Sequence, residues 1–170
     1  MVTWKIDKSH THMTFTISHF VIAKVNGTFK AFDGTIHSDD DFKTSQIKLV
    51  IEANSIDTND VNRDGHLKTA DFFDVEKFPQ IMFESTEFES AIDKATQVEG
   101  TLTVNGIAKQ MALTTNYKGN FVHPQSQKTI AVFNVSAQIP RKDFNIGTTY
   151  PAAALGEIVK LESTVELVKE

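Results

Sequence analysis

The stretch MTFTISH, residues 13–19, alternates between apolar and polar side chains. Met13, Phe15 and Ile17 share one phase, and His19 continues it, while threonine and serine occupy the other phase. Successive side chains of a β-strand point to opposite faces of a sheet, so this period of two predicts a strand with one buried face. His19 is then either an ordinary core histidine or a polar group that orients a ligand inside a cavity.

The same period of two returns along the whole chain, and we count eight such segments. The other seven are residues 29–36, 47–53, 81–85, 98–104, 111–117, 131–139 and 159–167. Eight strands with one apolar face each most simply close into an antiparallel barrel, which removes exposed edges; a two-sheet sandwich is the alternative. The sequence therefore predicts an all-β protein, and an eight-stranded barrel is wide enough to hold one small or slender ligand.

Turn signals accompany the alternating segments. Asn26-Gly27 and Asn105-Gly106 both predict hairpins, because asparagine and glycine accept the positive φ of type I′ turns. The apolar phase changes near Phe32, which predicts a β-bulge there.

Residues 59–75 break the alternation. The apolar residues Val61, Leu67, Phe72 and Phe73 are spaced like helical turns, and Pro79 restarts extended chain. A helical segment of this length between two strands is expected to form a rim or lid rather than a plain connection.

Composition limits the classes of function. The chain has 170 residues, which fits one domain over residues 1–170, and a net charge of -5 that argues against nucleic acid as a partner. It has no cysteine, no apolar run long enough to span a membrane as a helix, and no apolar core of a secretion signal near its first residue. We expect a cytoplasmic protein, or an exported one if a signal sequence has been removed.

The segment DVNRDGHLKTAD, residues 60–71, resembles a calcium-binding loop. Asp60, Asn62 and Asp64 occupy ligand positions, but a strand precedes the segment and Lys68 stands where a polar or acidic ligand belongs. The favoured interpretation is that these acidic residues cap a helix or close turns.

A metal-dependent enzyme is the alternative from a different functional class. It would use His10, His12, His66 and the carboxylates of residues 60–71, although no third ligand for His10 and His12 is visible from spacing. No nucleophile elbow, phosphate-binding loop or dinucleotide-binding turn is present, so we expect no enzymatic activity and no cofactor.

Several inward positions carry small or weakly polar residues. They are Ser85, Gly100, Thr115, Ala137 and Ser163. A solid barrel would need bulkier groups at these levels, so the mixture favours a long apolar cavity over a solid interaction module.

Four stretches together resemble the YceI-like polyisoprenoid-binding family: SHTHMTFTISHF, VNGTFKAFDGTI, IDTNDVNRDGHLKTADFFDVEKFPQIMFES and VEGTLTVNGIAKQMAL. The resemblance runs from about Ile6 to Val168. One departure lies in the family's Arg-x-x-Phe-Gly motif, where Arg141 and Phe144 match but Asn145 and Ile146 precede Gly147.

The resemblance implies a lipocalin-like eight-stranded barrel with a helical segment at its mouth, often in a homodimer. It also implies that an internal tunnel holds a long-chain isoprenoid, polyprenyl or quinone-type, or a similar amphiphilic lipid. Strand phase gives the candidate wall residues, with His19, Arg63 and Tyr117 as candidate polar contacts and Leu67, Phe72 and Phe73 at the rim. The candidate wall residues are Phe15, Ile17, Phe29, Leu49, Ile51, Phe83, Leu102, Leu113, Phe133, Val135 and Leu161.

Overall fold

The computed structural model describes residues 1–170 and contains eleven strands, one α-helix and two 3₁₀ helices. The strands are β1 (Val2–Ile6), β2 (Met13–His19), β3 (Ala23–Phe29), β4 (Phe32–Ser38), β5 (Ser45–Glu52), β6 (Ile56–Asp57), β7 (Gln80–Ser85), β8 (Ala95–Val104), β9 (Ile107–Val122), β10 (Thr129–Pro140) and β11 (Ile158–Lys169). The α-helix, α1, is Val61–Leu67, and the 3₁₀ helices are Ala53–Ser55 and Arg141–Phe144.

The eleven strands occupy eight positions around a closed antiparallel barrel, as predicted. Three positions are each filled by two consecutive strands. The first holds β1 and β2, which both pair with β11. The second holds β3, which pairs with β2, and β4, which pairs with β1. The third such position holds β5, which pairs with β4, and β6, which pairs with β3. Pairing of β1 with β11, with Trp4 opposite Lys169, closes the barrel.

Strand β1 was not among the predicted strands. Its five residues alternate over too short a length to stand out, yet Trp4 is almost completely buried. The predicted bulge near Phe32 is instead a two-residue break, Lys30 and Ala31, between β3 and β4. The amide of Lys30 donates to the carbonyl of Ser55, and the amide of Glu52 donates to that of Ala31, so the break joins the bend between β5 and β6.

The hairpin predicted at Asn26-Gly27 is wrong. Both residues lie inside β3, paired with Thr16 and Phe15 of β2. A Cβ on Gly27 would lie less than 3.0 Å from the Phe15 ring, so glycine is present for the close approach of an aromatic side chain and not for a turn.

The hairpin predicted at Asn105-Gly106 is confirmed. Both residues have positive φ, 53° and 71°, between β8 and β9. The Asn105 side chain donates to the carbonyl oxygens of Phe72 (2.6 Å) and Phe144 (2.8 Å), which fastens two loops to the hairpin.

The predicted helical segment is also confirmed, although the helix is shorter than residues 59–75. Helix α1 covers about two turns, and hydrogen-bonded turns carry the chain to β7, which begins directly after Pro79. This segment, the hairpin at residues 105–106 and the connection between β10 and β11 lie at one end of the barrel, which we call the mouth. No helix is long and apolar enough to cross a membrane.

Candidate functional site

The barrel encloses a cavity of about 480 Å³. Of its 43 lining residues 36 are hydrophobic, so water inside it would find few hydrogen-bond partners. Its volume lies in the range of about 300–1,000 Å³ that is usual for small-molecule sites.

All but one of the candidate residues line this cavity. The candidate wall residues predicted from strand phase line it at all eight strand positions. His19 and Arg63 also line the cavity, as do the rim residues Leu67, Phe72 and Phe73. Among the small inward residues Thr115, Ala137 and Ser163 also belong to the wall. Ser85 and Gly100 do not: the Ser85 hydroxyl accepts from the Ile47 amide at 2.8 Å, and the Phe83 ring fills the space beside Gly100.

Tyr117 lies outside the cavity wall. Its ring stacks on Phe133, with ring centroids 4.8 Å apart, and packs 5.0 Å from Phe42. The hydroxyl accepts a hydrogen bond from the Asn120 amide at 2.9 Å, while burial raises the pKa of Tyr117. Tyr117 thus forms part of the packed end of the barrel opposite the mouth.

Among the wall residues that sequence reasoning missed, Phe42 is the most deeply buried. It lies in the turn between β4 and β5, is 0% exposed, and closes the packed end against Trp4 and Phe133. Its φ of 56° turns the side chain inward from an otherwise exposed turn. The signal in the sequence was an aromatic residue directly after the acidic run Asp39–Asp41.

Acidic side chains organise the helical part of the mouth. Asp60 is the N-cap of α1 and accepts from the amides of Asn62 (3.0 Å) and Arg63 (3.1 Å). Asp64 accepts from the amide of Thr58 at 2.9 Å, and Asp71 is 2.9 Å from His66 Nε2. The capping interpretation is confirmed for Asp60, which caps α1, while Asp64 binds the preceding turn at Thr58 and Asp71 lies against His66.

The polar groups of the wall are concentrated at the mouth. Arg63 donates from Nε to the Thr58 hydroxyl (2.7 Å) and from Nη2 to the Thr58 carbonyl (2.6 Å). His66 lies one helical turn further on and contacts Phe72 edge-on, and Phe72 stacks on Tyr150 with ring centroids 5.5 Å apart. This arrangement places a cation and an imidazole where the head group of an amphiphile would lie if its tail occupied the cavity.

Arg141 holds the second loop of the mouth. Its guanidinium is completely buried and donates to five backbone carbonyls, which belong to Ile146, Gly147, Tyr150, Leu155 and Gly156. Desolvation lowers the pKa of Arg141. Asn145 takes the left-handed conformation directly after the 3₁₀ helix, so the residues that depart from the family motif form the start of this loop.

The three histidines of the metal alternative do not converge. His10 lies near Asp7 and Glu166, with Nδ1 at 2.9 Å and 3.6 Å from their carboxylate oxygens. These three side chains are the one group of three or more potential ligands within reach of a common ion. His12 is exposed elsewhere on the loop, and His66 pairs with Asp71 at the mouth.

Comparison with known proteins agrees with the fold. Residues 4–167 match the family model of the YceI-like domain. The chain is 37% identical to Protein YceI of Salmonella newport (strain SL254) over 170 residues, which cover 98% of this chain and 87% of that protein.

Solved structures with the same barrel include three informative ones. Campylobacter jejuni YCEI protein has a TM-score of 0.80 at 27% identity, covering 90% of both chains. Burkholderia cenocepacia BcnA has a TM-score of 0.83 at 20% identity, covering 95% of this chain and 98% of that one. A polyisoprenoid binding domain from Saccharophagus degradans, implicated in plant cell wall breakdown, has a TM-score of 0.76 at 13% identity and full coverage of both chains. With its family model, its relatives and its barrel in agreement, the chain belongs to the YceI-like domain family.

Proposed function

We propose that the protein binds a long-chain isoprenoid, polyprenyl or quinone-type, or a similar amphiphilic lipid, with the tail in the cavity and the head group at the mouth. The observation that carries this proposal is the apolar cavity of about 480 Å³ inside a closed barrel. The polyisoprenoid binding domain among its structural neighbours supports the same ligand class.

The size of the cavity supports a function in binding. At about 24 cal/mol per Å³ of void, an empty space of this volume would destabilise the fold by on the order of 10 kcal/mol. Net stabilities of domains are about 5–15 kcal/mol, so a sequence selected for stability alone would fill the space with side chains. A ligand tail that enters gains roughly 25 cal/mol for each Å² of apolar surface removed from water.

The distribution of polar groups supports an amphiphile over a uniformly apolar ligand. Arg63, His66 and His19 lie among the lining residues, and the first two belong to α1 at the mouth. The interior between the strands is lined mainly by aliphatic and aromatic side chains, with Thr14, Thr115 and Ser163 as its uncharged polar residues. Binding is proposed without catalysis, since the family model and the polyisoprenoid binding domain among the structural neighbours support a binding protein.

The experiment is extraction and loading. Purified protein is extracted with organic solvent and the extract is analysed by mass spectrometry, and stripped protein is titrated with polyprenols, polyprenyl phosphates and quinones of matched tail length. We expect stoichiometric binding with an affinity that rises with tail length. Absence of both a co-purified lipid and binding of every added lipid would overturn the proposal.

A further inference from the structure

The hairpin between β2 and β3 exposes three large apolar side chains in succession. Phe20, Val21 and Ile22 are 61%, 73% and 95% exposed. No other part of the chain exposes three consecutive large hydrophobic residues. We call Phe20–Ile22 the tip.

The tip adopts a strained backbone. Phe20 and Val21 have φ of 49° and 65°, in the left-handed region that disfavours residues with bulky side chains, and β-branched ones above all. Asparagine and glycine would make such a turn without strain, as Asn105 and Gly106 do in the next hairpin of the mouth. Large apolar side chains at these two positions therefore destabilise the folded protein, and an observed outlier of this kind points to a function.

A second uncharged loop lies beside the tip. The amide of Phe20 donates to the carbonyl of Ala154 at 3.0 Å, and His19 pairs with Leu155. Residues 144–156 contain no charged side chain, and Pro151, Ala152 and Ala153 are exposed. The tip and residues 151–153 together form an apolar surface at the mouth.

This surface is continuous with the cavity. Phe20, Ala154 and Leu155 belong to the cavity wall, while Phe20 is also largely exposed. Each methylene group of a long apolar tail that passes through water is exposed at a cost in free energy. A mouth whose apolar wall extends outward into an apolar tip would let such a tail pass from a bilayer into the barrel without contact with water.

We propose that the tip and residues 151–153 insert into the surface of a phospholipid bilayer, so that the cavity opens towards the membrane. The proposal rests on the proposed lipid-binding function for its purpose but is tested separately. Insertion is driven by apolar burial and not by charge, because the protein carries a net charge of -5 and both loops are uncharged. A second copy of the chain fits this surface less well, since its six residues are few against the roughly 20–30 residues that each partner contributes to a standard interface.

The test compares two double variants in a vesicle flotation assay. Val21→Asn/Ile22→Asn makes the tip polar with residues outside the cavity wall, and asparagine tolerates the left-handed conformation of Val21. Ile92→Asn/Val122→Asn makes the same two substitutions at exposed positions of the opposite end, where Asp93 and Lys118 form an ion pair. The vesicles are phosphatidylcholine, with and without phosphatidylglycerol.

We expect the unmodified protein and the Ile92/Val122 variant to float with phosphatidylcholine vesicles independently of salt, and the tip variant to lose at least tenfold in partitioning. Loading with a polyprenol from vesicles should slow by a similar factor in the tip variant, while equilibrium binding of polyprenol delivered from cyclodextrin stays unchanged. Failure of cyclodextrin-delivered lipid to bind the unmodified protein would overturn the lipid-binding function alone, since flotation does not depend on it.

Four results would overturn the proposed docking. The first is no flotation of the unmodified protein, and the second is equal loss in both variants. The third is flotation that needs phosphatidylglycerol and disappears at high salt. If analytical ultracentrifugation shows that the tip variant converts a dimer into monomers while vesicle binding is unchanged, the tip is a self-association surface and the docking proposal is also overturned.

Discussion

The guanidinium of Arg141 donates from Nη2 to the carbonyl oxygen of Tyr150 at 2.8 Å, across nine residues and with no carboxylate in an ion pair with it. The same group binds four further carbonyls of residues 146–156. Peptide dipoles are therefore the direct partners of a buried cation, with the charge of Glu157 as an additional favourable contribution, and one side chain fixes the shape of a loop that lines the cavity.

Substitution of Arg141 should destabilise the protein strongly. Arg141→Met removes the guanidinium donor from five buried or half-buried carbonyls, of which only that of Gly147 keeps another backbone donor, the Tyr150 amide. We expect a loss of about 3–5 kcal/mol in the free energy of unfolding. Arg141→Lys keeps the charge but supplies only three donors. Its free energy of unfolding should therefore lie between those of the unmodified protein and Arg141→Met. Urea denaturation measures both, and hydrogen exchange should report faster opening of residues 146–155. Equal stability of all three proteins would contradict this role.

Filling the cavity should shorten the tails that bind. Ala137→Phe adds a phenyl group to the wall opposite Leu161, its partner across the strand pair. We expect the affinity for long polyprenols to fall more than tenfold, while the affinity for a short polyprenol changes little. Gln138→Phe places the same side chain on the exposed face of β10 and is the control. A uniform loss for all tail lengths would argue against the cavity as the tail site.

A methyl group at Gly27 should displace the Phe15 ring into the cavity. We expect Gly27→Ala to destabilise the fold by about 1–3 kcal/mol through overpacking and to lower binding of long tails. Combination with Phe15→Leu should recover most of the stability, because the two residues are in direct contact. Denaturation of the two single variants and the double variant gives the coupling energy. Additive effects would show that the ring has room to move without strain.

The acidic residue that begins α1 should act as a cap and not as a calcium ligand. Asp60→Ala removes the acceptor for two amides, and we expect a loss of about 1 kcal/mol. Asp60→Asn keeps a capping oxygen and should be within a few tenths of a kcal/mol of the unmodified protein. For each of the three proteins, thermal denaturation should give the same melting temperature with calcium as with chelator. A calcium-dependent stabilisation that Asp60→Asn abolishes would restore the calcium interpretation.

The pair Asp7–His10 should make stability depend on pH. The hydrogen bond with Asp7 raises the pKa of His10 above 6.5, so its contribution is present below pH 6.5 and is lost as pH rises through the raised pKa. The Ser9 hydroxyl lowers the pKa of Asp7 below 3.8, so that contribution is present above pH 3.8 and is lost as pH falls through the lowered pKa. Both act together between about pH 4 and 6.5.

His10→Asn tests this window. The free energy of unfolding of the variant should no longer fall as the pH rises above 6.5. It should still fall at acidic pH, because Ser9 still donates to Asp7. Urea denaturation across pH and NMR titration of His10 provide the measurements. A pH profile that is unchanged in the variant would assign the dependence to other groups.

Periodicity alone predicted the barrel, because a closed sheet needs one apolar face on every strand and each long segment shows it. It failed where the same residue type serves two purposes. Asn-Gly makes a turn at residues 105–106, but at residues 26–27 glycine makes room for an aromatic ring whose position depends on strand register. Phe20 and Val21 make a turn that local preference would give to asparagine and glycine.

The candidate site was predictable to the extent that it follows strand phase. Inward alternation identified wall residues on every strand position, since the interior of the barrel is the cavity. Phe42 and Arg141 could not be found in this way, because each acts from a connection between strands. Tyr117 follows the inward phase but lies in the packed end, and phase carries no information about depth along the barrel axis.

The pairing of β1 with β11 also governs how the chain can be made. Trp4 lies opposite Lys169, so the barrel cannot close before β11 has been synthesised. Until then a nascent chain exposes the apolar faces of all earlier strands and leaves β1, β2 and β10 with open edges that can pair with other chains. Pairing over such a sequence separation is also slow. Completion of the fold therefore follows translation of β11, and the interval before it is the one in which the growing chain is most exposed to aggregation.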